Sequence, residues 1–196
     1  MHKQSYLKIK HIVHINILLF ICFACQDNSS TTPKPIAFLS LNYPKAQYLK
    51  TTEDINYQFE ISDLSDFYVN ANQWGKIVYP KLDAEIVLTY QPVENNLKTL
   101  IGDAEKTTYK HTIKADQIEV YPYEHLQNKV YARLFNLTGD VASPIQFQAT
   151  DSIKHFLYGS LYFKTKPNYD SIQPAIDYLK KDIEHLIETI QWKEIE

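Results

Sequence analysis

The sequence predicts an α+β protein with a mostly antiparallel sheet of short strands and two main helices, at about residues 96–115 and 171–192. Three observations support this class. Short segments rich in β-branched and aromatic residues fill most of the chain. Two longer segments instead repeat apolar residues every three or four positions. Neither an internal repeat nor a second linker divides the sequence, which predicts a single domain over residues 36–196.

The first residues have the pattern of a lipoprotein signal peptide. Three lysines precede an apolar run, Ile12–Ala24, which is shorter than the ~20 residues of a membrane-spanning helix. The run ends in a small residue followed by Cys25, so we expect a signal peptide at residues 1–24 and lipidation of Cys25. An ordinary secretory signal and an uncleaved short anchor are the alternatives, because Cys22 and Phe23 are unusual in a lipidation motif.

The segment behind the cysteine has the composition of a tether. Residues 25–35 are polar and contain two prolines, and they have no apolar face. Three of the 20 basic side chains lie before Cys25, where no acidic residue occurs, so the remaining chain has a net charge of −6. Its single arginine, Arg133, and this acidic balance argue against a nucleic-acid surface. Both cysteines lie at or before residue 25, so packing must stabilise the domain without disulfides.

The strands are predicted from alternation and from β-branched or aromatic runs bounded by proline, glycine or polar turns. Thr138-Gly139-Asp140 is one such turn. The predicted strand segments are Ala37–Leu41, the alternating Tyr57, Phe59 and Ile61, Lys76–Tyr79, Glu85–Tyr90, Ile118–Tyr123, Lys129–Leu137, Ser143–Thr150 and His155–Lys164.

Each helix is predicted from one apolar stripe. In the first helix Gly102 interrupts the pattern, which weakens it by ~1 kcal/mol relative to alanine. In the second, Asp170 is the expected N-cap and Pro174 falls in the first turn. The second stripe fits either packing on the sheet or docking of a partner. The stripes are Leu97, Leu100, Ile101, Ala104, Thr108 and His111, and then Ile172, Ile176, Leu179, Ile183, Leu186 and Ile190.

Asp151, Ser152 and His155 form the candidate catalytic group. A serine nucleophile needs a base within hydrogen-bond reach, and these residues are close in sequence. Asp-Ser before a strand is also a common turn, because both side chains bond the local backbone. The histidines (His111, His125, His155 and His185) lack metal-ligand spacing, and the glycines (Gly75, Gly102, Gly139 and Gly159) form no phosphate-binding loop. We therefore expect neither a metal nor a cofactor.

Three stretches carry a resemblance to a known family. They are Thr32–Pro35 with the following Phe38 and Tyr43-Pro44, then Tyr109–Asp116, and above all Ala142–Lys193. These stretches resemble the gliding motility lipoprotein GldD family of the Bacteroidota, and the similarity covers essentially all of the mature chain. The sequence departs from that family at Tyr158, where a basic residue is expected.

The resemblance implies a function that residue patterns do not supply. It implies a non-enzymatic, lipid-anchored envelope protein facing the periplasm, required for gliding motility and the associated type IX secretion machinery. It also implies action through protein contacts, with a GldE-like membrane partner and no catalytic residue. The alternatives are an envelope hydrolase using Ser152 and His155, and a lipoprotein that binds a small ligand in an aromatic-lined pocket of at least ~300 Å³.

Overall fold

The computed structural model describes residues 43–110, 114–165 and 168–194. These residues belong to one compact unit, Phe38–Glu196. The predicted signal peptide, Cys25, the tether, the predicted strand Ala37–Leu41 and His111 lie outside the described residues.

Eleven strands and two helices follow one another along the described chain, with a short 3-10 helix at Pro80–Leu82. The helices are α1 (Leu97–Tyr109) and α2 (Tyr169–Thr189). The strands are β1 (Tyr48–Lys50), β2 (Tyr57–Gln58), β3 (Glu60–Ser62), β4 (Asp66–Val69), β5 (Gly75–Tyr79), β6 (Ala84–Pro92), β7 (Gln117–His125), β8 (Val130–Thr138), β9 (Ile145–Thr150), β10 (His155–Phe163) and β11 (Gln191–Trp192).

A seven-stranded sheet forms the centre of the fold, and all of its pairings are antiparallel. Its strand order is β4-β5-β6-β10-β9-β8-β7. The strand β10 pairs with β6 on one side and with β9 on the other, so it joins β4-β5-β6 to β9-β8-β7. Two small antiparallel pairs, β1–β3 and β11–β2, stand beside it. This arrangement confirms the predicted α+β class with a mostly antiparallel sheet.

The main core lies between α2 and one face of this sheet. Ile176, Leu179 and Ile183 of the helix are at most 1% exposed, and they pack with inward side chains such as Leu134 and Phe147. The predicted apolar stripe is therefore a core face, which decides between the two interpretations left open by the sequence. Within the described ranges, neither α1 nor α2 has the length and hydrophobicity needed to cross a bilayer.

The helix α1 covers part of the opposite face with a much smaller apolar cluster, Leu100, Ala104 and Phe156. It ends at Tyr109, earlier than the predicted end at residue 115. Near this end the Thr107 hydroxyl group donates to the Asp103 carbonyl oxygen, four residues earlier, a bond that competes with regular helix.

The start of α2 also differs from the prediction. The helix begins at Tyr169, so Asp170 lies inside the first turn and Pro174 lies in the helix interior. The N-cap residue, Asn168, makes no side-chain capping hydrogen bond. Instead, the Tyr169 N–H group donates to Asp140 Oδ1 at 3.0 Å. The acceptor for this N–H group at the helix start comes from a loop that is distant in sequence, and local sequence could not reveal such a partner.

Candidate functional site

The candidate catalytic group forms a tight turn between β9 and β10. Asp151 Oδ1 accepts hydrogen bonds from the backbone N–H groups of Ile153, Lys154 and His155, at 2.9, 2.8 and 2.8 Å. Partial burial disfavours the charged carboxylate, but these three hydrogen bonds hold the pKa of Asp151 below its ordinary value. The carboxylate therefore fixes the conformation of the turn.

Ser152 occupies the exposed corner of this turn, with a φ of 68°. Its backbone N–H group donates to Thr150 Oγ1 at 2.9 Å, and the Thr150 hydroxyl group donates to the His155 carbonyl oxygen at 2.6 Å. In the part of the chain that the structure describes, no hydrogen bond joins the Ser152 hydroxyl group to the His155 ring. The contact between nucleophile and base that a serine hydrolase needs is not formed there.

His155 is buried, and its partners come from two other strands. Its Nδ1 atom is 2.9 Å from the Tyr90 hydroxyl group on β6, and its ring stacks on Trp192 of β11 with 5.1 Å between centroids. Burial lowers the pKa of His155, with the charge of Lys154 adding to this effect and that of Asp151 opposing it. A neutral ring that accepts from Tyr90 fits this environment, and through these contacts His155 joins β10 to β6 and β11.

The other described histidines also have structural contacts. His185 Nε2 is 2.7 Å from Glu60 Oε2, and its ring stacks on Tyr48 at 3.7 Å between centroids. His125 Nδ1 accepts from the Asn128 N–H group at 3.2 Å. Among the residues with described positions, no three His, Cys, Asp or Glu side chains are arranged to hold a metal ion.

A second group of polar side chains lies beneath α1. Gln146, Gln148 and Thr150 alternate along β9 on the face toward this helix, and all three are buried. Gln146 Oε1 accepts from the Thr108 hydroxyl group of α1 at 2.7 Å and from the Tyr158 hydroxyl group at 2.5 Å. This polar layer ties α1 to the sheet, where apolar contacts are few.

A cleft of about 480 Å³ opens beside this polar layer. Leu97 and Ile101 of α1 line one side, Gln148 and Phe156 line the sheet, and Tyr131 of β8 lies on the far side. This volume exceeds the ~300 Å³ expected for a ligand site. Of the sequence-predicted catalytic residues, the cleft includes Ser152 but not Asp151 or His155.

Three hairpin turns lie at one end of the seven-stranded sheet, as the strand registers require. They join β4 to β5, β7 to β8, and β9 to β10. Each carries one large exposed apolar side chain: Trp74 is 43% exposed, Leu126 70% and Ile153 65%. We call these three side chains the tip surface.

A comparison with known protein families gives a match over most of the chain. A model of the family described as gliding motility lipoprotein GldD matches residues 28–192, which is most of the chain. The chain belongs to the gliding motility lipoprotein GldD family. Membership implies a role in gliding motility and attachment to a membrane through a lipid. No curated protein matches the chain.

The family match confirms the resemblance found in the sequence, but the sequence did not indicate the cleft or the buried side of β9. Alternating polar residues such as Gln146 and Gln148 normally predict a solvated strand face. In this GldD-family protein both are buried because α1 lies over them. The available signal was the amphipathic stripe of α1, which also required a surface to cover.

Proposed function

We propose that this domain serves gliding motility by binding other envelope proteins, without catalysing a reaction. In this proposal the lipid attached at Cys25 holds the domain on the periplasmic side of a membrane. Its contacts extend to the associated type IX secretion machinery and include a GldE-like membrane partner. The family match supports the motility role, and the tip surface is the observation that carries the proposed mode of action.

The tip surface supports protein binding because its side chains are exposed on turns at the same end of the sheet. Leu126 and Ile153 are among the most exposed large apolar residues in the described chain, and folding gains little from them. Apolar groups held at the ends of rigid hairpins are suited to insertion into a partner's surface. The tightly bonded Asp151 turn keeps Ile153 in place, which gives the candidate catalytic segment a positioning role.

The test is a double variant, Leu126→Glu with Ile153→Glu. We expect loss of spreading and gliding in cells while the abundance and melting temperature of the protein stay near wild type, because both side chains are already solvated. The matched control is Val120→Glu, which places the charge at an exposed apolar position on β7, away from the turns. Normal gliding of the double variant would contradict this interaction surface.

The Ser152 variants separate binding from catalysis. Ser152→Ala and Ser152→Gly are both expected to retain gliding at wild-type speed, because no hydrogen bond joins the hydroxyl group to the His155 ring in the described chain. Ser152→Gly should also gain up to about 1 kcal/mol of stability, since glycine adopts the positive φ at this position more readily. Speed is measured by microscopy and stability by thermal unfolding. Loss of motility in both variants at normal abundance would contradict a merely structural role for Ser152.

The Cys25 variant tests the anchor. Cys25→Ala should abolish labelling by a palmitate analogue, move the protein out of the membrane fraction and strongly reduce gliding, while the domain itself folds normally. Cys22→Ala is the matched control and should retain labelling, fractionation and gliding. Retained labelling in Cys25→Ala would place the lipid elsewhere and would contradict the predicted cleavage site.

A further inference from the structure

The cleft beside α1 has apolar sides and a polar base. Leu97 and Ile101 form the helix side, and Phe156 adds an aromatic ring from β10. Gln148 of β9 lies on the sheet between the two sides, with only 5% of its surface exposed. A ligand that enters this space therefore meets apolar side chains of α1 and β10 and the Gln148 amide group on the sheet, with the charged Glu124 and Arg133 also in the lining.

Gln148 has a hydrogen-bonding capacity that the folded chain leaves unused. Its Oε1 atom is sealed from solvent and has no hydrogen-bond partner, which is rare for buried acceptors. Neither of its cross-strand neighbours donates to it. Arg133 donates from Nη1 to Glu105 at 2.8 Å, and the Tyr158 hydroxyl group donates to Gln146. Gln148 is one of the residues that line the cleft. A turn of its terminal amide about the last side-chain bond brings the oxygen to the cleft and the N–H2 group to the position that the oxygen leaves.

We infer that the cleft receives an aromatic side chain that carries an N–H or O–H donor, a tryptophan or tyrosine, from a partner protein. The donor pairs with Gln148 Oε1, and the ring lies against the apolar lining that includes Ile101 and Phe156. Tryptophan and tyrosine are the residues that most often dominate binding energy when they enter such pockets. Ser152 lies both on a hairpin turn of the tip end and in the cleft lining, so one partner can contact both surfaces.

The charges at the rim favour a neutral group over an ion. Glu124 and Arg133 both line the cleft, and Arg133 is already paired with Glu105. With charges of both signs near the opening, neither an anion nor a cation gains a clear advantage. This inference rests on the proposed function, since it names the kind of side chain that the interaction domain recognises.

The binding test uses two isomers of the same size, 3-methylindole, which has the N–H donor, and 1-methylindole, which lacks it. They are titrated into the full mature lipoprotein in nanodiscs, with the Ile101 methyl resonance as the reporter. We expect the N–H isomer to bind about tenfold more tightly, as one neutral hydrogen bond provides. Gln148→Met should abolish the preference, while Gln117→Met, a control at an exposed position of β7, should keep it.

Three results would overturn the donor pairing: no shift at Ile101, equal affinity of the two isomers, or a preference that persists in Gln148→Met. The partner is tested in cells with Ile101→Trp, which fills the cleft with its own indole ring. We expect this variant to lose gliding at normal abundance, while Lys98→Trp, on the exposed face of the same helix, glides normally.

If 3-methylindole binds selectively but Ile101→Trp glides normally, the cleft takes a free small molecule or none in the cell, and the inferred partner side chain is wrong. That result leaves the proposed function standing, because the tip-surface variants test it separately. If the tip-surface variants glide normally while Ile101→Trp does not, the cleft is retained and the proposed tip surface is wrong.

Discussion

Gly159→Ala should destabilise the domain by about 3 kcal/mol or more, through overpacking in the middle of the main core. A Cβ atom built on Gly159 lies 2.1 Å from Phe147 Cε1 and 2.4 Å from Phe147 Cζ, far inside contact distance. Phe147 is fully buried on the neighbouring strand, so its ring has no free space to enter. The close approach of this ring therefore requires glycine at position 159.

The measurement is the denaturant midpoint of the mature protein, with Gly102→Ala as the matched control. A Cβ atom on Gly102 meets nothing within 4 Å, and its position in α1 should make alanine stabilising by about 1 kcal/mol. Phe147→Leu added to Gly159→Ala should recover part of the loss, because it removes ring atoms that clash. An unchanged midpoint in Gly159→Ala would show that the ring is not packed as described.

The close contact of Gly159 with Phe147 also shows what sequence could and could not predict. Alternation marked both residues as parts of strands, and the strands formed as predicted. The pairing of β10 with β6 and β9 follows from contacts up to about 70 residues apart along the chain, and local pattern carries no such information. The requirement for glycine appears only once that register is known.

The helices also show what local sequence patterns predict and what they miss. The stripe of α2 was predicted almost completely, because a wide apolar stripe facing a core is encoded locally. Its first residue was misplaced, since the N–H group of Tyr169 is satisfied by Asp140 from another loop. The predicted strand through Tyr57, Phe59 and Ile61 likewise became two short strands, β2 and β3, which pair with β11 and β1 on different sheets.

The candidate site was only partly predictable for the same reason. Nearness in sequence brought Asp151, Ser152 and His155 to attention, and the turn interpretation described Asp151 well. The behaviour of His155 depends on Tyr90 and Trp192, which come from distant parts of the chain. Proximity in sequence suggests which groups can meet, but the partners that fix their orientation decide their chemistry.

Asp182→Ala should destabilise the domain by about 2–3 kcal/mol, because it leaves buried hydroxyl groups without an acceptor. Asp182 lies on α2 with 5% of its surface exposed. Its Oδ1 atom accepts from the Tyr48 hydroxyl group at 2.8 Å, and its Oδ2 atom accepts from the Tyr79 hydroxyl group at 3.1 Å. These bonds join α2 to both the central sheet and β1, the first strand of the described chain.

The same carboxyl group should make stability depend on pH. Burial raises the pKa of Asp182 above 3.8, and the nearby Asp63 adds to this, while the two tyrosine hydrogen bonds and His185 oppose it. The folded protein thus holds this proton more tightly than the unfolded chain does. The stabilising contribution is complete below the unfolded pKa and is lost as the pH rises through the raised pKa.

Asp182→Asn cannot lose a proton, so its free energy of unfolding relative to wild type should increase between pH 4 and pH 7. Denaturant unfolding at several pH values measures this difference, and Asp177→Asn, on the exposed face of the same helix, is the matched control. The control removes the same charge without the burial, so its difference from wild type should change little over this range. A difference for Asp182→Asn that falls with pH would mean that the tyrosine hydrogen bonds outweigh burial, and the buried carboxylate would then be a net stabilising contact between α2 and the sheet.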